Sequence, residues 1–186
     1  EHNMSSILKV DQLQDSGGNA IITSDGSGNL TAGTIPSTVI GTGALLQVVS
    51  SSNAGNSTNT TSISYVDTVN TLNITPLSSN SKIVVIADHA ISIDANSQQR
   101  ADIRIRETVT STTITDKRYI GQDGAGGTQS NRSIALCGVL TNSSTAQKTF
   151  KVQVRKADGQ SSEAGNIGLN WYNNATHSMI ALEIAG

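Results

Sequence analysis

Arg100, Arg104 and Arg106 stand at even positions of one short segment, with Asp102 between them, so in an extended strand all four share a face. Guanidinium forks take carboxylates and sulfate- or phosphate-like groups bidentately, which makes Arg104 and Arg106 candidates for holding an acidic glycan. The competing reading is a solvated or interchain-paired strand face balanced by Asp102 and Glu107. Lys117-Arg118 and Arg132 complete the only basic concentration in the chain. A second candidate is Tyr172 with Asn173 and Asn174, since a tyrosine flanked by amides can stack on a sugar and hydrogen-bond to its hydroxyls. Tyr119, at the mouth of the Gly-rich stretch from Ile120 to Asn131, is the third.

Catalytic chemistry finds less support. Glycoside hydrolysis needs two carboxyls at a set separation, and the available acids are Asp88, Asp94, Asp102, Glu107, Asp116, Asp123, Asp158, Glu163 and Glu183. A chain of 186 residues leaves little room for a polysaccharide cleft among them. The histidines, His2, His89 and His177, lie at no metal-ligand spacing, and His89 shares a face with Ala87 and Ile91, as a hydrogen-bonded or interface residue would. Gly124-Ala125-Gly126-Gly127 lacks the lysine of a phosphate loop and reads as a surface loop. Asp25-Gly26-Ser27-Gly28-Asn29 lacks the spaced acids of a calcium loop and reads as a turn. The expectation is a protein without enzymatic activity, cofactor or metal.

The elements that carry these residues are strands. Apolar residues alternate with polar ones in Thr149 to Arg155, Ile167 to Tyr172 and Met179 to Ile184, the period-two pattern of half-buried strands, so strands are expected at Lys148 to Lys156, Ile167 to Tyr172 and His177 to Ile184. Further strands are expected at Leu45 to Ser50, Ser62 to Val66, Thr71 to Thr75, Lys82 to Ile93, Ala101 to Val109 and Ser133 to Thr141, with Gly-, Asn- and Ser-rich turns between them. Lys82 to Ile93 begins apolar on both faces, which predicts a central strand covered on both sides. Helical periodicity is absent. The fold class is therefore all-β, a two-sheet sandwich of jelly-roll type.

Composition sets bounds. Only 3% of residues are aromatic and 14% charged, and the net charge is -2, so nothing calls for nucleic acid or an anionic membrane as partner. No apolar run approaches the roughly 20 residues of a membrane span, and no membrane insertion is expected. Cys137, the one cysteine, sits between Leu136 and Gly138 and is expected to be a small buried hydrophobe. Met4 reads as the start behind a foreign lead of three residues, and the last strand reaches the chain's end, so attachment to a larger body is expected through the N-terminal side. Residues 4–43 contain only short strands, at Ile7 to Val10, Ala20 to Thr23 and Leu30 to Ile35, separated by Ser16-Gly17-Gly18-Asn19 and Asp25 to Asn29. Such pieces cannot build a core from one copy. They are expected to form an attachment or stalk segment stabilised between chains, ahead of a β-sandwich knob over 44–186.

Ser5-Ser6-Ile7-Leu8-Lys9-Val10-Asp11-Gln12-Leu13-Gln14-Asp15-Ser16-Gly17-Gly18-Asn19-Ala20-Ile21-Ile22 resembles the N-terminal segment of virion structural proteins, of tail-fibre or head-fibre type, from phages of marine bacteria. Leu46 to Ser50, Leu72 to Pro76 and Ser79 to Val85, with the ending Thr149 to Arg155 and Ile180 to Ala185, resemble a β domain of the same proteins. The likeness weakens between about Asp94 and Asn131. It implies a homotrimeric fibre or spike on the tail or capsid surface, joined to other virion proteins by its N-terminal segment. Its C-terminal knob would be similar to complement and tumour-necrosis-factor-type trimers. What the knob touches is not part of that likeness; the leading expectation is that it binds a host-surface ligand, a glycan. The alternatives are a head-fibre or capsid-decoration protein with no receptor of its own and, more remotely, a polysaccharide depolymerase.

Overall fold

In a computed structural model the protein is all-β, and the structure describes residues 12–27, 30–32, 41–54, 58–94, 99–121, 130–157, 166–169 and 176–186. The chain divides into two compact units, Glu1–Gly41 and Thr42–Gly186. The first holds an antiparallel three-stranded sheet of β1 (Gln12–Gln14), β2 (Ala20–Ser24) and β3 (Leu30–Ala32). Its first turn is fixed by the Asp15 carboxylate, which accepts the N–H groups of Gly17 at 2.8 Å and Asn19 at 2.9 Å, while Gly18 takes φ +82°, a conformation that glycine adopts without strain. None of the residues whose exposure is described in this unit is buried, and Leu13, Ile21 and Ile22 face water. The expected strand at Ile7 to Val10 lies outside the described residues.

The second unit is a two-sheet sandwich. Its strands are β4 (Leu45–Ala54), β5 (Thr58–Thr60), β6 (Val66–Ile74), β7 (Lys82–Asp94), β8 (Gln99–Glu107), β9 (Thr112–Gly121), β10 (Ser130–Thr141), β11 (Lys148–Lys156), β12 (Asn166–Leu169) and β13 (Thr176–Ile184). Setting aside the short β5 and β12, the remaining eight strands form two antiparallel sheets, ordered β4-β13-β7-β10 and β6-β11-β8-β9. In chain order these are first-eighth-third-sixth and second-seventh-fourth-fifth, two interlocked Greek keys, which is the jelly-roll arrangement. β12 and β5 extend the first sheet alongside the far half of β7.

Alternation decides which rows meet. Ile83, Val85, Ala87 and Ile91 of β7, Leu136 of β10 and Met179 and Ala181 of β13 turn inward from the first sheet. Leu72 and Ile74 of β6, Ala101, Ile103 and Ile105 of β8, and Phe150, Val152 and Val154 of β11 complete the same buried cluster from the second. Where β10 and β9 close one side of the sandwich, Gly138 brings the sheets into contact: a Cβ there would stand 2.7 Å from the Ile114 carbonyl oxygen. At the ends, two buried carboxylates organise the turns. Glu183 accepts the backbone N–H groups of Leu77 (2.9 Å) and Ser78 (3.0 Å) and the Gln47 amide (2.6 Å). Glu107 accepts those of Val109 (2.9 Å) and Thr110 (2.7 Å), together with the Thr110 hydroxyl. Burial pushes both carboxyls up, but these hydrogen bonds outweigh it and hold both below the usual glutamate value.

Four sequence expectations need correction. Ser62 to Val66 is not a strand; Ser62 to Ser64 forms a bend held by the Ser62 hydroxyl, and β6 starts at Val66. β9 was not expected, because Asp116 and Arg118 occupy one face and Lys117 the other, so this edge strand lacks the apolar alternation of a half-buried one. The outer face of β7 is left open by its own chain: Ile86 is 39% exposed, although its inner row is fully buried. Cys137 likewise lies on the outer face and is exposed rather than buried.

Two substitutions test this architecture. Gly138→Ala forces the Ile114 backbone away and is expected to cost about 1 to 3 kcal/mol in urea unfolding. Glu183→Ala strands two turn amides and is expected to cost at least about 2 kcal/mol, lowering the melting temperature by roughly 4 to 8 °C. A wild-type melting temperature in either variant would contradict the packing described.

Candidate functional site

The outer face of the four-stranded sheet gathers the basic row and much that sequence spacing alone does not bring near it. In register, Arg104 of β8 lies between Gln153 of β11 and Asp116 of β9, Asp102 lies between Arg155 and Arg118, and Arg106 lies between Lys151 and Thr113. Asp102, 3% exposed, takes Arg118 Nε at 2.7 Å and Arg155 Nη2 at 2.9 Å. The Arg118 hydrogen bond is the main reason its carboxyl is held below the usual aspartate range. Asp67 of β6 takes Gln153 Nε2 and Lys151 Nζ, both at 2.6 Å, and is lowered in turn.

Tyr65, just before β6, organises the middle of this face. Its hydroxyl donates to Asp116 Oδ2 at 2.7 Å, the Arg104 guanidinium carbon stands 3.7 Å from its ring centroid, and that of Arg155 stands 4.7 Å away. Burial, then the bond to Asp116, raises the phenol well above its ordinary value. Arg104 Nε donates to Gln153 Oε1 at 2.7 Å, and its Nη1 reaches Thr113 Oγ1 at 3.4 Å. Desolvation and the neighbouring Arg106 both lower the Arg104 pKa. Among the described residues neither Arg104 nor Arg106 is in an ion pair. Sequence spacing pointed to the arginines but missed Tyr65 and Gln153; the usable signal for Tyr65 was its rarity, one of three tyrosines in the chain.

The other candidates fall elsewhere. Tyr119 is half-buried and packs against the core cluster, on the opposite side of β9 from Asp116 and Arg118. Tyr172, Asn173 and Asn174 lie outside the described residues, as does the loop from 122 to 129. Of the acids considered for sugar hydrolysis, Glu107 and Glu183 hold turn amides, Asp102 and Asp116 belong to the arginine lattice, and Asp88 accepts the Ser133 hydroxyl at 3.0 Å. A cleft of about 160 Å³ lined by Thr110, Thr112, Thr141, Asn142 and Lys148 opens near the β10–β11 turn, where Lys148 Nζ donates to Ser144.

The outer face of the first sheet has the opposite chemistry. Val48, Leu182, Val84 and Val139 form one row across four strands, followed by Ser50, Ile180, Ile86 and Cys137, then Ser52, Ser178, Asp88 and Ala135. Asp88 is the single charge among these twelve positions. Val48 is 54% exposed and Val139 52%. With strands about 4.8 Å apart and residues about 3.3 Å apart, the two apolar rows cover roughly 250 Å², close to the size of the largest patches on isolated monomers.

A polar pair lies inside the sandwich. His89 and His177 are buried with rings stacked 5.5 Å apart at 7°. Asn53 Nδ2 donates to Asn70 Oδ1 at 2.9 Å, which leaves the Asn70 amide N–H to donate to His89 Nε2 at 3.2 Å. Burial lowers the His177 pKa, opposed by Asp88.

No protein-family model matches the chain, and no curated protein does. Among solved structures, it is similar to the VP2 subviral particle protein of infectious bursal disease virus, at 10% identity and TM-score 0.39 over 77% of this chain and 38% of that one. A Gx-strain structure of the same virus matches at 12% identity and TM-score 0.37 over 75% and 36%. The chain thus spans less than half the length of these neighbours, and likeness at this level adds nothing to the fold that the strand order already establishes.

The histidine pair generates a pH prediction. In the unfolded chain His177 takes up a proton near pH 6.5, whereas the folded chain holds it neutral to lower pH, so the unfolded state binds more protons below that point. Stability is expected to be full above about pH 6.5 and to fall as pH drops further. The urea midpoint of the wild type should be lower at pH 5.5 than at pH 7.5, and His177→Gln should narrow that difference. An unchanged difference would locate the pH sensitivity elsewhere.

Proposed function

We propose that this chain is a non-enzymatic virion structural protein of fibre or spike type that works as a parallel homotrimer. In this reading its N-terminal unit joins it to other virion proteins, and its sandwich is displayed at the tail or capsid surface, where it contacts a host-surface glycan. The observation that carries the reading is the contrast between the two outer faces of one jelly roll, one with apolar rows flanked by Asp88 and Lys82 and the other a lattice of arginines. A mainly apolar sheet face gains from being covered by a neighbouring copy, whereas a charged face is stable in water. The N-terminal unit points the same way, because its described residues bury nothing and other chains can cover Leu13, Ile21 and Ile22. The resemblance of Ser5 to Ile22 to phage virion proteins supports the setting. The engagement of Glu107, Glu183 and Asp102 in turn and arginine contacts supports the absence of hydrolytic work.

A capsid-decoration protein would use the apolar face in the same way. Immunogold labelling of particles separates the two readings: label on the tail favours receptor binding, and label on the capsid favours decoration.

Cys137, the sole cysteine, lies within the apolar face and reports on its burial. Light scattering at micromolar concentration is expected to give three times the chain mass, with Cys137 slow to react with a bulky maleimide. Val84→Lys is expected to yield monomers in which Cys137 reacts as a free thiol. A wild-type monomer with freely reactive Cys137 would overturn the assembly.

A further inference from the structure

We propose that the outer face of the four-stranded sheet, centred on Arg104, Arg106 and Lys151, binds an acidic polysaccharide. This rests on the reading of the sandwich as a glycan-contacting knob and names the class of glycan. Among the described residues six of the chain's twelve Lys and Arg stand on this face, namely Arg100, Arg104, Arg106, Arg118, Lys151 and Arg155, against three carboxylates, Asp67, Asp102 and Asp116. A local excess of three positive charges thus sits on a chain whose net charge is -2. The excess is concentrated further by the pairing. Asp102 is used by Arg118 and Arg155, Asp67 by Lys151 and Gln153, and Asp116 by the Tyr65 hydroxyl, although Arg104 is its register partner.

Among the described residues Arg104 and Arg106 are therefore left outside any ion pair, with Asp116 and Asp67 acting on them only at longer range, and Arg106 sits directly opposite Lys151. Like charges facing each other across a strand pair are destabilising. An anion from outside the chain relieves that repulsion, and it meets guanidiniums whose positions are already set. Arg104 is fixed by the Tyr65 ring and by Gln153, so it loses little freedom on accepting a carboxylate or sulfate. Thr71, Asn73, Thr113 and Thr149 lie around this centre on the same face and offer hydroxyl and amide groups to sugar hydroxyls. A nucleic acid is disfavoured, because the one aromatic ring that the described residues place on the face is occupied by guanidiniums rather than open for base stacking, and the molecule as a whole is anionic.

The test uses the full chain against immobilised polygalacturonate and dextran sulfate, with neutral dextran and single-stranded DNA as comparisons, at low and moderate salt. Binding to both acidic polysaccharides, absent on neutral dextran and weakened by salt, is expected. Arg104→Ala with Arg106→Ala should weaken it at least about tenfold, the loss of one to two charge-assisted hydrogen bonds. Arg132→Ala, which removes an exposed cation from the other sheet, should leave it unchanged. Tyr65→Leu, which keeps the net charge but removes the ring that fixes Arg104, should also weaken it. Equal binding to neutral dextran, tighter binding to DNA, or indifference to the double arginine variant would each overturn the proposal. Arginine-dependent polysaccharide binding without binding to susceptible cells would sink the receptor function and leave this inference standing. Cell binding unaffected by the double variant would do the reverse.

Discussion

The fold depends on the closing of two sheets that have almost no aromatic residues with which to fill the space between them. Phe150 is the one fully buried phenylalanine, and the rest of the core is made of aliphatic rows whose side chains must interdigitate closely to exclude water. Close approach is therefore obligatory, and Gly138 shows it: at the β9–β10 side a single methyl group would collide with the facing backbone. The turns are held by the same economy. Glu107 and Glu183 each neutralise several turn N–H groups that burial would otherwise leave unpaired.

Once both inner faces are committed to each other, the outer faces are free to diverge. Each strand has period two, so a residue's parity assigns it either to the core or to the outside, and the outside of each sheet can then be set independently. On the first sheet it became apolar and nearly uncharged. On the second it became a lattice in which Tyr65, Gln153 and two aspartates, Asp67 and Asp102, order four of the six basic side chains, Arg104, Arg118, Lys151 and Arg155. The partners come from four strands and are far apart in the chain: Tyr65 reaches Asp116 and Arg104, and Asp67 reaches Lys151 and Gln153. The rigidity of the lattice comes from the sheet beneath it, because strands fixed in register cannot slide their outer residues past one another. An apolar face and a charged face can thus coexist on a sandwich only two sheets thick.

What the sequence determined by itself was what alternation reports: an all-β chain, most of its strands, including Lys148 to Lys156 to the residue, and the placing of Ile103 and Ile105 inward with Arg104 and Arg106 outward. These are local consequences of side chains pointing to opposite faces of a pleated strand. β9 escaped because it is an edge strand with polar residues on both faces, so no alternation marks it. The tertiary structure alone decided which strands became neighbours. It set Tyr65 beneath two guanidiniums, left Arg104 and Arg106 outside any ion pair among the described residues, stacked His89 on His177, and exposed Ile86 and Cys137 on a face that their apolar surroundings would have placed inside. The reason is physical: strand pairing joins residues fifty to a hundred or more positions apart. Their mutual positions follow from the register and from the closing of the two sheets, which no local pattern encodes.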